Sequence, residues 1–384
     1  MIYVPIKYVR PGMVLAKDVV SPASFFSLLV TGQQLSDVTI KRLHQYEIDG
    51  VYIQSSFGDD VVVEEFIDPK VKRQAVKDLK ELYEGYVKQG AISDMALEKT
   101  KKLAEELVMY ILSKDQYLVN IIDIKDYDTY TYSHSMFVSI LSVLIGTQLG
   151  YNKQQLSELA LCGLMHDIGK LDIPLEIINK TTALTDEEFA LIRQHPQKSI
   201  DRLRPCRSMP QRVLNGIACH HEKYDGTGYP RGLDGENIPI YGRILALADV
   251  FDALTSQRSY RKAWAPCDTL EYMVAQSGTH FDDVLLSAFL HTVAAYPVGT
   301  LVRLSTGDIA LVVCNHQQNT LRPTVRLVRG GLLGKRGTEV NLLLDGDYLN
   351  VTVTASLISE SGADEGIYYP QISPARTTAK HPPH

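Results

Sequence analysis

The sequence predicts a multidomain, mainly α protein, in which an all-α domain is flanked by a small α+β module on its N-terminal side and a small β-barrel-like module on its C-terminal side. Three observations lead to this prediction. The chain has 384 residues, which exceeds the roughly 100–200 residues of a typical domain. Residues 118–296 carry successive hydrophobic patterns with helical spacing, and the sequence on both sides contains short runs typical of β-strands.

The first predicted module, residues 1–65, combines β-prone runs such as MIYVPI, DVVS and GVYIQ with turn signals and one helix-like stretch at 37–47. Residues 66–117 form a predicted helical linker, because apolar residues recur there at helical spacing with Lys and Glu between them. Helices of this kind either join domains or pair with a second copy, so the linker is compatible with a homodimer.

The central segment, residues 118–296, is the predicted all-α domain. Its helical patterns include 136–149, 154–165, 186–194, 209–221, 243–255 and 266–276. Asp186, Glu187 and Glu188 supply the acidic first turn that a helix N-terminus favours.

The last two segments are a predicted small β domain at 297–360 and a predicted disordered tail at 361–384. In GTLVRLSTGDIALVV the tetrapeptide Ser-Thr-Gly-Asp predicts a hairpin turn, and YLNVTVTASLI predicts a later strand. The tail contains four prolines and lacks apolar periodicity.

Composition limits the function classes. The chain is 45% hydrophobic and 22% charged, as a globular protein is, and its net charge of −6 argues against duplex nucleic acid as the main partner. A signal peptide is not recognisable, and the longest apolar run is far shorter than the roughly 20 residues of a membrane-spanning helix. Five widely spaced cysteines without a CxxC motif indicate reduced thiols, so we expect a cytoplasmic protein without a membrane span.

Ionisable residues within apolar surroundings point to a metal site. Asp249 interrupts the run RILALADVFDAL, and a buried carboxylate is costly unless it is paired or binds a cation. A single buried histidine is more often a hydrogen-bonded core residue than a ligand, but adjacent ionisable pairs are hard to explain as packing. The candidate set comprises His134, His166, Asp167, His195, His220, His221 and Asp249. Several helices could therefore direct nitrogen and oxygen ligands to one point.

Imidazole and carboxylate ligands without thiolate favour iron, manganese or zinc. Two such ions about 3.5–4 Å apart stabilise both the attacking and the leaving oxygen in phosphoryl transfer, which predicts phosphodiester hydrolysis. Lys170 follows His166 by one helical turn, and it could stabilise the developing charge or protonate the leaving oxygen. An exposed lysine without a role is the alternative.

An ordered set of motifs resembles one known family. HDIGK at 166–170, HP at 195–196, HHEKYDGTGYPRG at 220–232 and IPIYGRILALADVFDALTSQRSYRK at 238–262 resemble the HD-GYP subfamily of the HD metal-dependent phosphohydrolases. The resemblance covers about 118–296 and implies an all-α HD-type catalytic domain. VRPGMVLAKDV and the GVYI strand resemble the small domain that often precedes HD-GYP units.

The resemblance implies that a bridging hydroxide on two metal ions hydrolyses the bacterial second messenger cyclic di-GMP to linear pGpG, in some members onward to GMP. The seven candidate ligands match the family's metal ligands, with Asp167 as the bridge and Lys170 beside it. Iron or manganese is expected ahead of zinc. Positions that match substrate contacts are Gly228, Tyr229, Pro230, Asp252, Arg258 and Arg261, and Asp252 could instead support a metal ligand.

Two positions depart from the family pattern. Tyr130 stands where some members carry a glutamate for a third metal, so two metals are expected. Ser199 stands where the family often has glycine, which affects local helix geometry. Two alternatives stay open: a cyclic di-GMP receptor that signals to protein partners through the flanking modules, and a phosphohydrolase that acts on another nucleotide. The sequence leaves the role of Glu222 unassigned.

Overall fold

The structure is a computed structural model that describes residues 1–20, 27–46, 48–64, 66–89, 92–114, 117–120, 130–180, 182–256 and 263–358. Arg258, Arg261 and the predicted tail at 361–384 lie outside the described residues. The chain forms two compact units, the first from residues 1–64 and 294–384 and the second from residues 65–293. The finer division into five segments stays a prediction.

The regular elements of the first unit are mainly short β-strands. Its elements are β1 (Ile2–Pro5), β2 (Val19–Val20), β3 (Ser27–Leu29), α1 (Asp37–Gln45), β4 (Gly50–Ile53), β5 (Leu301–Leu304), β6 (Ile309–Cys314), β7 (Thr324–Leu327), β8 (Glu339–Asn341) and β9 (Val353–Ser356). β1 pairs with β4 and β2 with β3, and the other strands form an antiparallel sheet in the order β8-β7-β6-β5-β9. Barrel-like closure of this sheet stays a prediction.

Apolar side chains from both ends of the chain share the core of this first unit. Ile2 and Ile53 from the β1–β4 pair pack in one cluster with Leu301 and Leu311 from the five-stranded sheet. Ser36 caps α1, because its hydroxyl accepts a hydrogen bond from the backbone N–H of Thr39. In return, the Thr39 hydroxyl accepts a hydrogen bond from the backbone N–H of Ser36. The two sequence segments therefore depend on one another for burial of their apolar faces.

The second unit is helical. Its elements are α2 (Pro69–Gln89), α3 (Asp94–Leu112), α4 (Tyr130–Gln148), α5 (Lys153–Met165), α6 (Leu175–Ile178), α7 (Asp186–Ile192), α8 (His195–Leu203), α9 (Gln211–Ala218), α10 (Ile240–Thr255), α11 (Pro266–Ala275) and α12 (Asp283–Leu290). Helices α4 and α10 are apolar on most faces and are largely buried, so they form the centre of the unit.

Close contact between α4 and α5 fixes the position of the HD motif. A Cβ atom added at Gly163 would lie 2.3 Å from Ser139 Cα, so only glycine allows this approach. The Ser139 hydroxyl donates to the carbonyl of Ala160 at 2.9 Å and thereby joins the two helices. None of the helices in the described ranges is long and apolar enough to cross a membrane.

Most predicted elements are confirmed. The helices expected at 136–149, 154–165, 243–255 and 266–276 correspond to α4, α5, α10 and α11, and the Ser-Thr-Gly-Asp turn joins β5 to β6. The predicted helix at 209–221 corresponds to α9, but α9 ends at Ala218, three residues earlier than predicted. His220 and His221 therefore follow the helix end, where their side chains are not restricted to helical spacing.

Candidate metal centre

The candidate ligands come from helix ends and from two central helices. His166 and Asp167 follow α5, His195 begins α8, and His220 and His221 follow α9. His134 lies within α4, and Asp249 and Asp252 lie within α10. The adjacent pairs can point to one place because each pair lies where a helix ends, which resolves the problem that neighbouring helical residues diverge by about 100°.

Three histidines are oriented in the same way. Each has Nδ1 within hydrogen-bond distance of the backbone carbonyl three residues earlier. The pairs are His166 with Gly163 at 2.8 Å, His195 with Ile192 at 2.7 Å and His220 with Ile217 at 2.7 Å. A carbonyl only accepts, so Nδ1 carries the proton and the lone pair of a neutral ring lies on Nε2. This arrangement fixes the tautomer as metal sites require.

The ligand atoms form two groups. One contains His195, His220 and His221, the other contains His134, His166 and Asp167, and within each group the ligand atoms lie within 4.8 Å of one another. Asp167 connects the groups, since its Oδ1 lies 3.3 Å from His195 Nε2 and its Oδ2 lies 3.3 Å from His166 Nε2. The family resemblance predicted that Asp167 bridges two metal ions, and its position between the two groups is compatible with that role.

Asp249 also faces both groups. Its Oδ1 lies 3.2 Å from His134 Nε2, and its Oδ2 lies 4.0 Å from His221 Nδ1. The carboxylate is buried, as the apolar run around it predicted. Two carboxylates, Asp167 and Asp249, therefore span the space between the two groups of histidines.

The arrangement fits a cation. His195 Nε2 lies 3.2 Å from the Nε2 atoms of both His220 and His221, and lone pairs at such a distance repel unless a proton or a metal ion lies between them. His166 Nε2 and Asp167 Oδ1 are buried, and among the described residues neither has a hydrogen-bond partner. Buried polar atoms without partners are rare in native proteins, and a cation bound by His166 Nε2 and Asp167 Oδ1 would satisfy both atoms.

Burial controls the charge of these groups. It lowers the pKa of His195 to about 4 and that of His220 well below its usual range, so both rings are neutral near pH 7. Burial alone would raise the pKa of Asp167, but the neighbouring His166 and Lys170 side chains outweigh it and hold that pKa well below the ordinary value. Neutral imidazole beside an ionised carboxylate is the ligand state that binds divalent metals.

Lys170 lies beside the candidate bridge. Its Nζ is 2.5 Å from Asp167 Oδ2, and the lysine side chain is one-third exposed. Lys170 belongs to the short 3₁₀ segment Ile168–Asp172 that follows the HD pair. Its ammonium group is thus within reach of both the ligand groups and solvent.

Asp252 supports a ligand. Its Oδ2 lies 2.6 Å from Nδ1 of His134, and both side chains are buried. This carboxylate leaves Nε2 of His134 to face Asp249, in the manner of carboxylate–histidine pairs at metal sites. Of the two roles considered for Asp252, the contact favours support of His134, and direct substrate contact stays a prediction.

The segment after the histidine pair forms a lip, residues 226–233. The Glu222 carboxylate, which is buried, accepts hydrogen bonds from the backbone N–H groups of Arg231 at 2.8 Å and Leu233 at 3.1 Å. A Cβ atom at Gly228 would lie 2.2 Å from the backbone nitrogen of Lys223, so this position requires glycine. Glu222 directly follows His221, so its hydrogen bonds hold the lip close to this candidate ligand.

Tyr229 lies against the candidate metal centre. Its ring stacks on His221 with 4.8 Å between centroids and 22° between planes, and its backbone N–H donates to the His221 carbonyl at 3.1 Å. Pro230 follows through a cis peptide bond and is exposed. The predicted substrate residues Gly228, Tyr229 and Pro230 thus border the candidate ligands.

Ser199 joins the HD turn to the helix that carries His195. Its hydroxyl accepts from the N–H of Gly169 at 2.8 Å and donates to the carbonyl of His166 at 2.9 Å. A Cβ atom at Gly169 would lie 2.2 Å from the His195 carbonyl oxygen. The serine replaces the glycine of the family pattern and supplies a bond between two ligand-bearing segments.

Sequence reasoning found the residues that meet at the centre but missed how they are supported. All seven candidate ligands come together in the described structure. Glu222 lacked an expected role because its partners are backbone groups of a loop. Its position directly after two histidines and before a glycine-rich stretch was the available signal.

The fold and the site define a helical domain with a candidate metal centre of histidines and aspartates. Residues 116–285, somewhat less than half of the chain, match the HD domain family. The recognition made from the sequence motifs is therefore confirmed.

Two curated relatives and one solved structure extend the comparison. The chain is 40% identical over 225 residues to a cyclic di-GMP phosphodiesterase of Pseudomonas aeruginosa. This match covers 59% of this chain and 54% of that protein. The chain is also 42% identical over 127 residues to the 3'3'-cGAMP-specific phosphodiesterase 2 of Vibrio cholerae. This match covers 33% of this chain and 24% of that protein. The chain thus spans about half the length of the first relative and a smaller share of the second.

A solved HDG"Y"P protein from Bdellovibrio bacteriovorus has the same fold. The match has a TM-score of 0.50 and 20% sequence identity, and it covers 75% of this chain and 97% of that chain. At this identity the likeness concerns the fold alone.

Proposed function

We propose that the helical unit of residues 65–293 hydrolyses a phosphodiester bond of cyclic di-GMP and gives linear pGpG, with further cleavage to GMP left open. The names of the relatives support the reaction class and the substrate, since a cyclic di-GMP phosphodiesterase of Pseudomonas aeruginosa shares 40% identity over 225 residues. The proposed cofactors are two divalent ions, iron or manganese ahead of zinc, because the ligand groups contain imidazole and carboxylate without thiolate.

One observation carries the proposal: Asp167 lies between two groups of buried ligands and contacts a lysine. When bound, a pair of divalent ions lowers the pKa of water and stabilises the charge that develops in phosphoryl transfer. His195, His220 and His221 would hold one ion and His134 and His166 the other, with Asp167 and Asp249 facing both.

The protein's own groups supply the remaining chemistry. Hydrolysis joins a water oxygen to phosphorus, breaks the bond to a ribose oxygen, and ends with a proton on that leaving oxygen. Lys170 holds protons at Nζ, 2.5 Å from the Asp167 carboxylate, so it can stabilise charge on the phosphate or donate to the leaving oxygen. Its partial exposure gives it access to a bound substrate.

The lip supplies substrate contacts in this proposal. The stacked pair of His221 and Tyr229 places an aromatic ring beside the ligands, where a nucleobase or ribose would lie. Arg258 and Arg261 are expected to bind phosphate or guanine through their planar forks. The narrow spacing of Glu222 and Gly228 keeps the lip close to the metal centre.

The substrate is the point on which alternatives differ. The match to a 3'3'-cGAMP-specific phosphodiesterase of Vibrio cholerae favours another cyclic dinucleotide as the second candidate. In the receptor hypothesis, the same centre would bind cyclic di-GMP without turnover and signal through the flanking strands of the first unit.

We also propose a cytoplasmic location for the protein. The five cysteines are all free, which supports this location.

The test is turnover by the full chain loaded anaerobically with manganese or iron. Cyclic di-GMP, 3'3'-cGAMP and a mononucleotide are compared, and the products are separated by chromatography. The proposal expects pGpG from cyclic di-GMP, loss of the activity in Asp167→Ala and retention of it in Asp347→Ala, an exposed position in the first unit. Binding without turnover would favour the receptor, and preference for another substrate would replace cyclic di-GMP.

A further inference from the structure

Arg193 belongs to neither ligand group, yet it lies beside the lip. Its guanidinium carbon is 4.7 Å from the centre of the Tyr229 ring and 5.3 Å from that of Phe189. Tyr229 itself stacks on His221, a candidate metal ligand. One aromatic ring therefore separates Arg193 from the metal centre.

The Arg193 guanidinium is available for an anion. The residue is exposed, and in the described part of the chain its side chain has neither an ion-pair partner nor a hydrogen-bond acceptor. A cation–π contact of this kind does not engage the guanidinium N–H groups with an oxygen acceptor, so they stay available for one. Since those edges match the oxygens of a phosphate, Arg193 presents an unused phosphate-binding fork.

The backbone around Arg193 is tied to the centre. Its N–H donates to the Phe189 carbonyl at 2.9 Å at the end of α7. The preceding residue, Ile192, provides the carbonyl that orients His195 at 2.7 Å. The backbone at Arg193 is thus fixed relative to the candidate ligand His195, two residues away, and a fixed backbone reduces the entropy lost when the side chain binds.

A cyclic dinucleotide carries two phosphodiester groups, and only one is cut in a turnover. The two metal ions would neutralise the phosphate that is cut, while the other keeps its negative charge. We infer that Arg193 binds this second phosphodiester group while the nucleotide lies against Tyr229. The inference rests on the proposed function and deepens it, because it assigns a residue that selects substrates with two phosphates.

The experiment compares two substrates. Cyclic di-GMP has two phosphodiester groups, and bis(p-nitrophenyl) phosphate has one. KM, kcat and the salt dependence of KM are measured for wild type, Arg193→Ala and Arg193→Lys in manganese-loaded protein. Arg204→Ala is the matched control, because Arg204 is exposed at the far end of α8, roughly 13 Å along the helix from His195.

Arg193→Ala should raise KM for cyclic di-GMP about 10-fold, the effect of losing roughly 1.4 kcal/mol of binding. The rise for bis(p-nitrophenyl) phosphate should be far smaller, and metal content should match wild type. Arg193→Lys keeps the charge without the planar fork, so it should recover part of the loss. KM for cyclic di-GMP should also become less sensitive to added salt in Arg193→Ala.

Three outcomes would overturn the inference: an unchanged KM for cyclic di-GMP, an equal rise for both substrates, or an unchanged salt dependence. A wild-type protein that binds cyclic di-GMP without turnover contradicts the proposed catalysis instead. In that case the same variants are compared by their Kd for cyclic di-GMP, and an Arg193→Ala value equal to wild type rejects the inference. Absence of binding by wild type rejects both.

Discussion

Nδ1 of His134 lies 2.6 Å from the Asp252 carboxylate, and this buried pair joins α4 to α10 at the candidate metal centre. The contact directs Nε2 of His134 towards Asp249 and Asp167. The contact between Asp252 and the candidate ligand His134 thus connects two helices that are distant in sequence.

Asp252→Asn should weaken metal binding. The Asp252 carboxylate orients His134 and raises the basicity of its ring, and the amide of asparagine lacks the negative charge that does so. Loss of such a supporting partner typically lowers metal affinity 10–100-fold. We expect a loss in this range when the metal-free protein is titrated with Mn²⁺ in a calorimeter. Asp347→Asn, which changes an exposed aspartate of the first unit, should leave the affinity unchanged. Equal affinities for Asp252→Asn and wild type would show that the pair does not support the site.

Glu222→Gln should loosen the lip. The carboxylate accepts two backbone hydrogen bonds, whereas the amide nitrogen of glutamine cannot accept. Hydrogen bonds to a charged group contribute about 1.5–3 kcal/mol, so the amides of Arg231 and Leu233 should exchange at least 10-fold faster. Hydrogen exchange followed by mass spectrometry measures this rate, with Glu236→Gln, an exposed residue near the lip, as control. Unchanged exchange would exclude Glu222 as the anchor.

Gly169→Ala should disrupt the centre through packing. The new Cβ would lie 2.2 Å from the His195 carbonyl and 2.5 Å from the Ser199 nitrogen, so the start of α8 must move. We expect lower thermal stability and a loss of metal affinity above 10-fold, measured by differential scanning fluorimetry and metal titration. Gly85→Ala in α2 is the control, because nothing lies within 4 Å of its added Cβ. A tolerated Gly169→Ala would contradict the close packing of the HD turn on α8.

The metal-free protein should lose stability as the pH falls from about 6.5 towards 4. Burial lowers the pKa of His195 from 6.5 to about 4. In this window the unfolded chain binds a proton that the folded chain does not, so the stabilisation present above pH 6.5 is lost at up to about 1.4 kcal/mol per pH unit for each such group. Thermal unfolding between pH 7.5 and 4.5 measures this slope.

His195→Asn should reduce that slope, while His44→Asn, which changes an exposed histidine of α1, should keep it. A stability that rises on acidification, or a slope equal in wild type and His195→Asn, would be inconsistent with a neutral buried His195.

Apolar spacing and buried ionisable residues allowed the main helices and the candidate ligands to be predicted from the sequence. Apolar spacing identified α4, α5 and α10, and ionisable residues within those apolar runs marked the centre. Asp249 illustrates this, because a carboxylate in a buried run implies a cation. The paired histidines at 220 and 221 were recognised from adjacency, although the helix before them ends earlier than expected.

The supporting contacts could not be predicted, because they depend on tertiary geometry. The carbonyl partners of His166, His195 and His220 follow from where each helix ends, and helix ends are poorly defined in sequence. Glu222 binds backbone groups nine and eleven residues later, and the path of the intervening lip decides that contact. The sharing of one core by both ends of the chain is likewise invisible in local patterns.

Asp167 joins two groups of candidate ligands, and we propose that these groups hold two divalent ions. The most direct test is the metal content of anaerobically purified protein, determined by elemental mass spectrometry against protein concentration. We expect two ions per chain in wild type, and the loss of at least one ion in an Asp167→Ala variant that folds with unchanged circular dichroism. A wild-type chain that contains no metal and takes up none of iron, manganese or zinc would contradict it.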